Sequence, residues 1–431
     1  MPESAARPRV NDDGFHVVAG ELYAENVPLA AIAARYGTPC YVYSRAALTR
    51  AFRTFDDAFA GLSHLVCYAM KANPSLAILE LFAGLGSGFD IVSGGELARV
   101  LAIGGDPSTV VFSGVGKSDD EMAQALAAGI LCFNVESESE LDHLAAVAAR
   151  RAVRAPISFR VNPDVDPRTH PYIATGLKES KFGVAVATAR VLYRRAAAMP
   201  SVAVHGIDMH IGSQITELAP FREALAKLLA LVDALAADGI ALSHIDVGGG
   251  LGIRYRDETT VAIADYAAAI REQMSGRRER VLLEPGRRLV GDAGVLLTRV
   301  RVVKHGESRN FAVVDAAMND LVRPALYAAW HGVDVVQPRA APEHVYDIVG
   351  PVCESGDFLA RDRKLALAEG DLLAVRTAGA YGMAMSSNYN ARPRACEVLV
   401  DGDDVHLARR RESYADLIAH EQRLPRSPIR A

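Results

Sequence analysis

Eight short β-prone runs follow one another through the middle of the chain: Leu65–Lys71, Gly88–Ser93, Val110–Gly114, Cys132–Ser137, Ile157–Pro163, Val204–Gly212, His244–Gly250 and Val281–Gly286. Between most of them lie Ala- and Leu-rich stretches with helical spacing, among them Leu76–Leu85, Gly95–Ile103, Glu121–Ala128, Glu138–Arg150 and Phe221–Ala237. Acidic starts such as Ser118-Asp119-Asp120-Glu121 and Ser137-Glu138 put negative charge where helix N-termini favour it. Strands that alternate with helices pair in parallel through right-handed crossovers. Eight such units in roughly 250 residues is the count of a closed (β/α)8 barrel. An open doubly wound sheet is the competing arrangement on pattern alone.

The flanks read differently. Gly14–Tyr43 and residues from 305 onward carry β-branched runs, Phe311–Val314, Val345–Val349, Leu372–Arg376 and Glu397–Val400, broken by Gly, Pro and Asp. The expected organisation is therefore α/β: a TIM-like barrel over 45–304, and a mostly-β, sandwich- or barrel-like domain assembled from 1–44 and 305–431. After Arg409 a charged tail is expected to hold one short helix, Tyr414–His420, and to end loosely over Gln422–Ala431.

Composition narrows the function classes. Half of the 431 residues are hydrophobic and 23% are charged, so disordered and fibrous architectures are excluded. A net charge of -5 gives no reason to expect a nucleic-acid partner or a membrane surface. Cys40, Cys67, Cys132, Cys353 and Cys396 are scattered without C-x-x-C spacing, which argues against a disulfide framework or a metal knuckle and fits a reducing compartment. Met1–Gly14 lacks the apolar run of a signal peptide, and the stretch Leu228–Ala236 is too short for a bilayer and is interrupted by Asp233. A cytoplasmic protein is expected.

In such a barrel the reacting groups sit at the C-terminal ends of the strands. The first run ends Tyr68-Ala69-Met70-Lys71-Ala72-Asn73-Pro74. A lysine there either snorkels out of the strand end or sits desolvated, its pKa depressed, ready to condense with an aldehyde. The sixth ends Asp208-Met209-His210-Ile211-Gly212-Ser213-Gln214, and His210 alone is as readily structural as functional. The seventh ends Asp246-Val247-Gly248-Gly249-Gly250-Leu251-Gly252; Ile253 stands where a third glycine should be, so a dinucleotide fingerprint fails. Its three glycines still let backbone N–H groups close on an anion. The eighth ends Glu284-Pro285-Gly286-Arg287, and the loops after strands seven and eight form the recurring phosphate site of this architecture. A carboxylate at Glu284, set against a pyridine nitrogen, would favour the protonated ring. An amine, an anion cradle and a carboxylate together meet the needs of pyridoxal 5'-phosphate.

The barrel motifs resemble the alanine-racemase-like, fold-type III pyridoxal-phosphate decarboxylases. Three C-terminal stretches, Asp315 through Tyr327 (DAAMNDLVRPALY), Val349 through Phe358 (VGPVCESGDF) and Gly379 through Arg394 (GAYGMAMSSNYNARPR), are similar to the diaminopimelate decarboxylase family. Asn162–Gly183 is also family-like, and the likeness runs from about Gly37 to Val400. Ala317 departs from it, standing where glycine is expected.

The resemblance implies that Lys71 holds the cofactor covalently, that His210 stacks on its ring and that Glu284 meets the ring nitrogen. Ser213, Gly248, Gly249, Gly250, Pro285, Gly286 and Arg287 would hold the phosphate with the Tyr381 hydroxyl, and Asp90 and Arg160 would line the cofactor. Arg287, Arg323, Tyr327, Glu354 and Tyr381 would read the substrate, and Cys353 would deliver a proton. The family's Cys-Glu segment reaches into the partner subunit, implying a homodimer with composite sites. The implied reaction is loss of CO2 from the D-centre of meso-2,6-diaminopimelate to give L-lysine. The alternatives are relatives acting on D-ornithine or D-lysine, carboxynorspermidine or carrier-bound glutamate, and a non-catalytic homologue that regulates another protein. Trp330, His331, Met383 and Met385 read as packing or loop residues, and Arg277–Arg280 as a solvated surface.

Overall fold

The computed structural model describes residues 13–167, 169, 175–176 and 180–424. Within them eight parallel strands close into a barrel: His64–Ala69, Gly88–Ile91, Val110–Phe112, Cys132–Val135, Ala155–Asn162, Val202–Asp208, His244–Asp246 and Arg280–Leu283. Each pairs with the next, and the eighth returns to the first through Val281–His64, Leu282–Leu65 and Leu283–Val66. The closed barrel therefore prevails over the open sheet.

Helices cover the outside. Ser118 and Glu121 form a reciprocal capping box on Asp119–Ala128, and the Ser137 hydroxyl caps Glu138–Arg150, as their acidic starts imply. Leu76–Gly84, Gly94–Ala102 and Ala219–Ala237 form as expected. The structure adds Arg45–Ala58, Val186–Ala197 and Ile263–Gln273, whose apolar spacing is diluted by arginine pairs and alanine runs. It also places a helix at Leu29–Tyr36 in the flank read as β; its buried Leu29, Ile32 and Ala33 follow an i, i+3, i+4 stripe.

Side chains alternate along a strand with a period of two, so each barrel strand sends one parity inward. A small apolar plug, Leu65, Cys67, Val111, Cys132 and Leu282, fills the inner end. Two residues further along the same strands come Ser113, Asn134 and Glu284, and the sixth and seventh strands add Asp208 and Asp246. The inward face thus turns from apolar to acidic towards the C-terminal rim.

The second unit is a mostly-β sheet that draws on both chain ends. Its order is Phe358–Leu365, His344–Val349, Asn310–Val314, Gly294–His305, Cys40–Ser44, Cys396–Asp401 and Asp404–Arg409. Cys40–Ser44 lies between Gly294–His305 and Cys396–Asp401, which ties the N-terminal flank into the C-terminal domain. The seam with the barrel runs beside Lys71: the Asn73 side-chain amide donates to Gly379 O at 3.0 Å, and Tyr381 N–H donates to Ala72 O at 2.8 Å. Tyr414–Ile418 forms the tail helix, and residues 425–431 of the expected loose end lie outside the described residues.

Gly206 lies on the inward face, two residues before Asp208, and a Cβ there would sit 2.0 Å from His244 Nε2. Gly206→Ala should therefore cost about 1–3 kcal/mol of stability through overpacking, read as a lower urea midpoint. An unchanged midpoint would show that the inner face has room to spare.

Candidate active site

The first barrel strand breaks at Ala69 into a single 3₁₀ turn, Met70–Ala72, which carries Lys71 to the rim. Its amine donates to Asp90 Oδ2 at 2.6 Å, at the end of the second strand. Asp90 is fully buried, and its Oδ1 finds no partner among the described residues. Across the mouth, Glu284 is buried with Oε1 3.4 Å from the Ser113 hydroxyl, which in turn accepts from the Asn134 amide at 3.0 Å. Asp208, Asp246 and Glu284 bring carboxylate oxygens within 4.8 Å of one another. Burial pushes all three carboxyls up, with mutual repulsion adding to it at Asp208 and Asp246. Lys71 and Arg160 pull Glu284 part of the way back towards the charged form.

This acid set corrects one expectation. Burial by itself would lower the Lys71 ammonium, but Asp90 and Glu284, with Tyr381, outweigh it and hold the pKa above the ordinary lysine value. The amine is poised as a cation whose proton has a nearby acceptor, rather than as a free base made by desolvation. Its side chain also keeps 32% of its surface open to the mouth.

His210 follows the sixth strand. Its Nδ1 accepts the Gly249 N–H at 3.2 Å, which leaves the proton on Nε2 and fixes the ring. Burial, followed by the Arg160 and Lys71 charges, lowers it to about 3, so the imidazole is neutral. Arg160 donates to Glu136 Oε1 at 3.3 Å and to His210 O at 3.3 Å. The glycines of the seventh strand's turn are required by packing. Gly248 and Gly250 have φ of +68° and +104°, and a Cβ at Gly249 would lie 2.0 Å from Glu284 O. Gly286 opens the short helix Arg287–Val290, and Pro285 O accepts from Ala69 N, locking the eighth strand's turn to the first.

A cavity of about 420 Å³ opens beside these groups, walled by Ser213, Tyr255, Arg287, Arg323, Tyr327 and Tyr381 among others. Arg287 is buried; it donates to Tyr255 Oη at 2.6 Å and to Ser213 Oγ at 3.1 Å, and its guanidinium lies 4.7 Å from the Tyr381 ring. Tyr381 has φ +55°, a left-handed backbone that turns its ring into the mouth. Lys71, Asp90, His210 and Glu284 lie outside its walls, and so do Cys353 and Glu354. Both are exposed, and Glu354 accepts from the Tyr389 hydroxyl. A larger hollow of about 530 Å³ near Arg50, Arg288 and Thr377 contains none of the strand-end groups.

Several residues escaped the sequence reading. Tyr255 stands between Arg287 and Arg323, and Trp330 lines the cavity with the Arg363 guanidinium 4.5 Å from its ring. His331, read as a packing or loop residue, is fully buried and bonded to Arg323. Met383 packs in the core as expected, whereas Met385 lines the cavity. Asp208 and Asp246 were findable: each shares inward parity with a residue already singled out, His210 and Gly248. Of the family-like stretch Asn162–Gly183, residues 168, 170–174 and 177–179 lie outside the described residues.

Residues 45–291 match the family model for the pyridoxal binding domain of pyridoxal-dependent decarboxylases, and the chain belongs to that class of enzymes. A diaminopimelate decarboxylase of Pseudomonas aeruginosa is 60% identical over 96% of this chain and its own whole length. Among solved structures, the diaminopimelate decarboxylase of Helicobacter pylori complexed with L-lysine is 41% identical, with a TM-score of 0.88 over 91% of this chain and 98% of that one. The M. jannaschii enzyme in co-complex with L-lysine is 38% identical, with a TM-score of 0.92 over 96% and 99%. Within the class, the chain belongs to the diaminopimelate decarboxylase family.

Removing the acid partner should free the amine. In Asp90→Asn the largest charge holding the Lys71 proton is gone, so its pKa should fall and its condensation with an added aldehyde at neutral pH should speed up. A slower or unchanged rate would mean that Asp90 does not govern the proton on Nζ.

Proposed function

We propose that this chain decarboxylates meso-2,6-diaminopimelate to L-lysine and CO2 with pyridoxal 5'-phosphate in the barrel mouth. The single observation that carries the reading is the Lys71 amine at the barrel rim, 2.6 Å from the buried Asp90, on a turn bonded through Ala72 O to Tyr381, which walls a cavity holding two buried arginines. The residues fit the cofactor: a lysine at the rim, a buried carboxylate opposite it, and a three-glycine turn that any Cβ would block.

When bound, pyridoxal phosphate supplies the aldehyde for the amine and a protonated ring that takes up the electron pair left by CO2. The chain does the rest. Asp90 Oδ2 accepts from Lys71 Nζ and holds the ammonium in place at the rim. Glu284, kept partly charged by Lys71 and Arg160, would offer its carboxylate to the ring nitrogen. Neutral His210, held through Nδ1, would present a flat face to the ring and help keep the breaking bond aligned. Ser213, Gly248, Gly249, Gly250, Pro285, Gly286 and Arg287, with Tyr381, would hold the phosphate.

Arg287 and Arg323, with Tyr327, receive the distal carboxylate of the substrate, since a planar guanidinium matches it bidentately. Substrates that lack this carboxylate leave the arginines unanswered, a penalty that can reach the order of 10⁴-fold. Glu354 suits the distal ammonium, and the Cys353 thiol suits proton delivery. Both are exposed on their own chain, which suits a homodimer in which each subunit completes the other's site. Among the described residues no helix is long and apolar enough to cross a membrane. The five free cysteines suit a reducing, cytoplasmic setting.

Purified protein with added cofactor should release lysine from meso-diaminopimelate and turn over D-ornithine and D-lysine far more slowly; no lysine from the first substrate would overturn the assignment. Lys71→Ala should lose the visible absorbance of the bound cofactor, while Cys353→Ala should keep the absorbance and turn over slowly. Mixing the two variants under conditions that exchange subunits should restore part of the activity. If the mixture stays as slow as its parts, the sites are not shared between subunits.

A further inference from the structure

Arg323 opens the helix Arg323–Tyr327 with its side chain buried, and among the described residues no carboxylate forms an ion pair with it. Two uncharged groups hold it instead. Its Nη1 donates to His331 Nε2 at 2.8 Å, and its Cζ lies 4.4 Å from the centre of the Tyr255 ring. His331 is fully buried, its Nδ1 lies 2.8 Å from Arg376 O, and its ring meets Tyr255 edge-on at 5.3 Å.

The protonation of His331 follows from its neighbours. A carbonyl only accepts, so Nδ1 carries the proton; a guanidinium only donates, so Nε2 presents a lone pair. Both bonds call for the same neutral tautomer. A protonated ring would set two cations against each other, and burial, with the Arg323 charge behind it, lowers this histidine to about 3. The imidazole remains an acceptor across the working range of pH.

We infer that His331 is the positioning residue for Arg323: it fixes the guanidinium by accepting from it, yet leaves the positive charge uncancelled for the distal carboxylate of the substrate. An aspartate or glutamate at this place would orient Arg323 equally well, but would neutralise it and compete with the incoming carboxylate. A neutral acceptor does only the first. This inference rests on the substrate reading above, and the arrangement makes selection for a dicarboxylate a property of three residues, Arg323, Tyr255 and His331.

Two near-isosteres separate the two bonds of the ring in the holoenzyme. The side-chain amide nitrogen of an asparagine mimics Nδ1, so His331→Asn keeps the anchor to Arg376 O and removes the acceptor; His331→Gln restores an acceptor near Nε2. The KM of H331N for meso-diaminopimelate should rise roughly tenfold or more, the scale of a lost hydrogen bond to a charged group, with kcat little changed, while H331Q stays near wild type. In the wild type, the histidine ring ¹⁵N resonances, assigned by difference with H331Q, should show a bare Nε2 and a protonated Nδ1. Wild-type KM in H331N, an equal rise in both variants, or a protonated Nε2 overturns the inference while the substrate reading stands. Failure of the wild type to form lysine overturns the substrate reading first.

Discussion

The rim of the barrel is organised by charge. Strand parity turns Asp90, Asp208, Asp246 and Glu284 into a closed space with no bulk water to solvate them, and buried carboxylates in that number repel one another and resist ionisation. Lys71 and Arg160 are the cations that offset them. The amine is therefore held as a cation until its proton has somewhere to go, and Glu284 stays closer to its charged form than burial alone would allow. The proton on Lys71 and the charge of Glu284 depend on one shared balance. Neutral His210, fixed by a backbone amide, adds a flat surface without adding charge to it.

The second domain contributes the other half. Its loops cross the seam at Asn73–Gly379 and Ala72–Tyr381, so the turn carrying Lys71 is bonded to a segment that walls the cavity. Arg323 and His331 come from that domain, whereas Tyr255 comes from a barrel loop and Arg287 from the short helix after the eighth strand. The cavity exists only because the two units meet there. The joint sets the acidic barrel rim on one side and the arginines of the seam on the other.

Much of this was legible in the chain itself. The eight strands, most of their helices and the strand-end groups Lys71, His210 and Glu284 follow from periodicity together with the rule that barrel enzymes work at the C-terminal rim. The pairing of both chain ends in one sheet was also expected. The helix Leu29–Tyr36 was hidden because its stripe is short and alanine-rich. The raised Lys71 pKa was hidden because the carboxylates that oppose desolvation, Asp90 and Glu284, reach the amine only through the fold. His331 and Tyr255 were hidden because neither sits in a spacing pattern: their meaning comes from Arg323, 8 residues from one and far along the chain from the other.

The linear order of residues determined the barrel, the rim and the kinds of reactive group placed on it, because a period of two and a strand–helix rhythm are properties of neighbours in the chain. Only the tertiary structure decided which charges balance which, which tautomer His331 adopts, and that Cys353 and Glu354 are exposed. Those are matters of distance and burial between residues far apart in the chain, and local pattern carries no record of them.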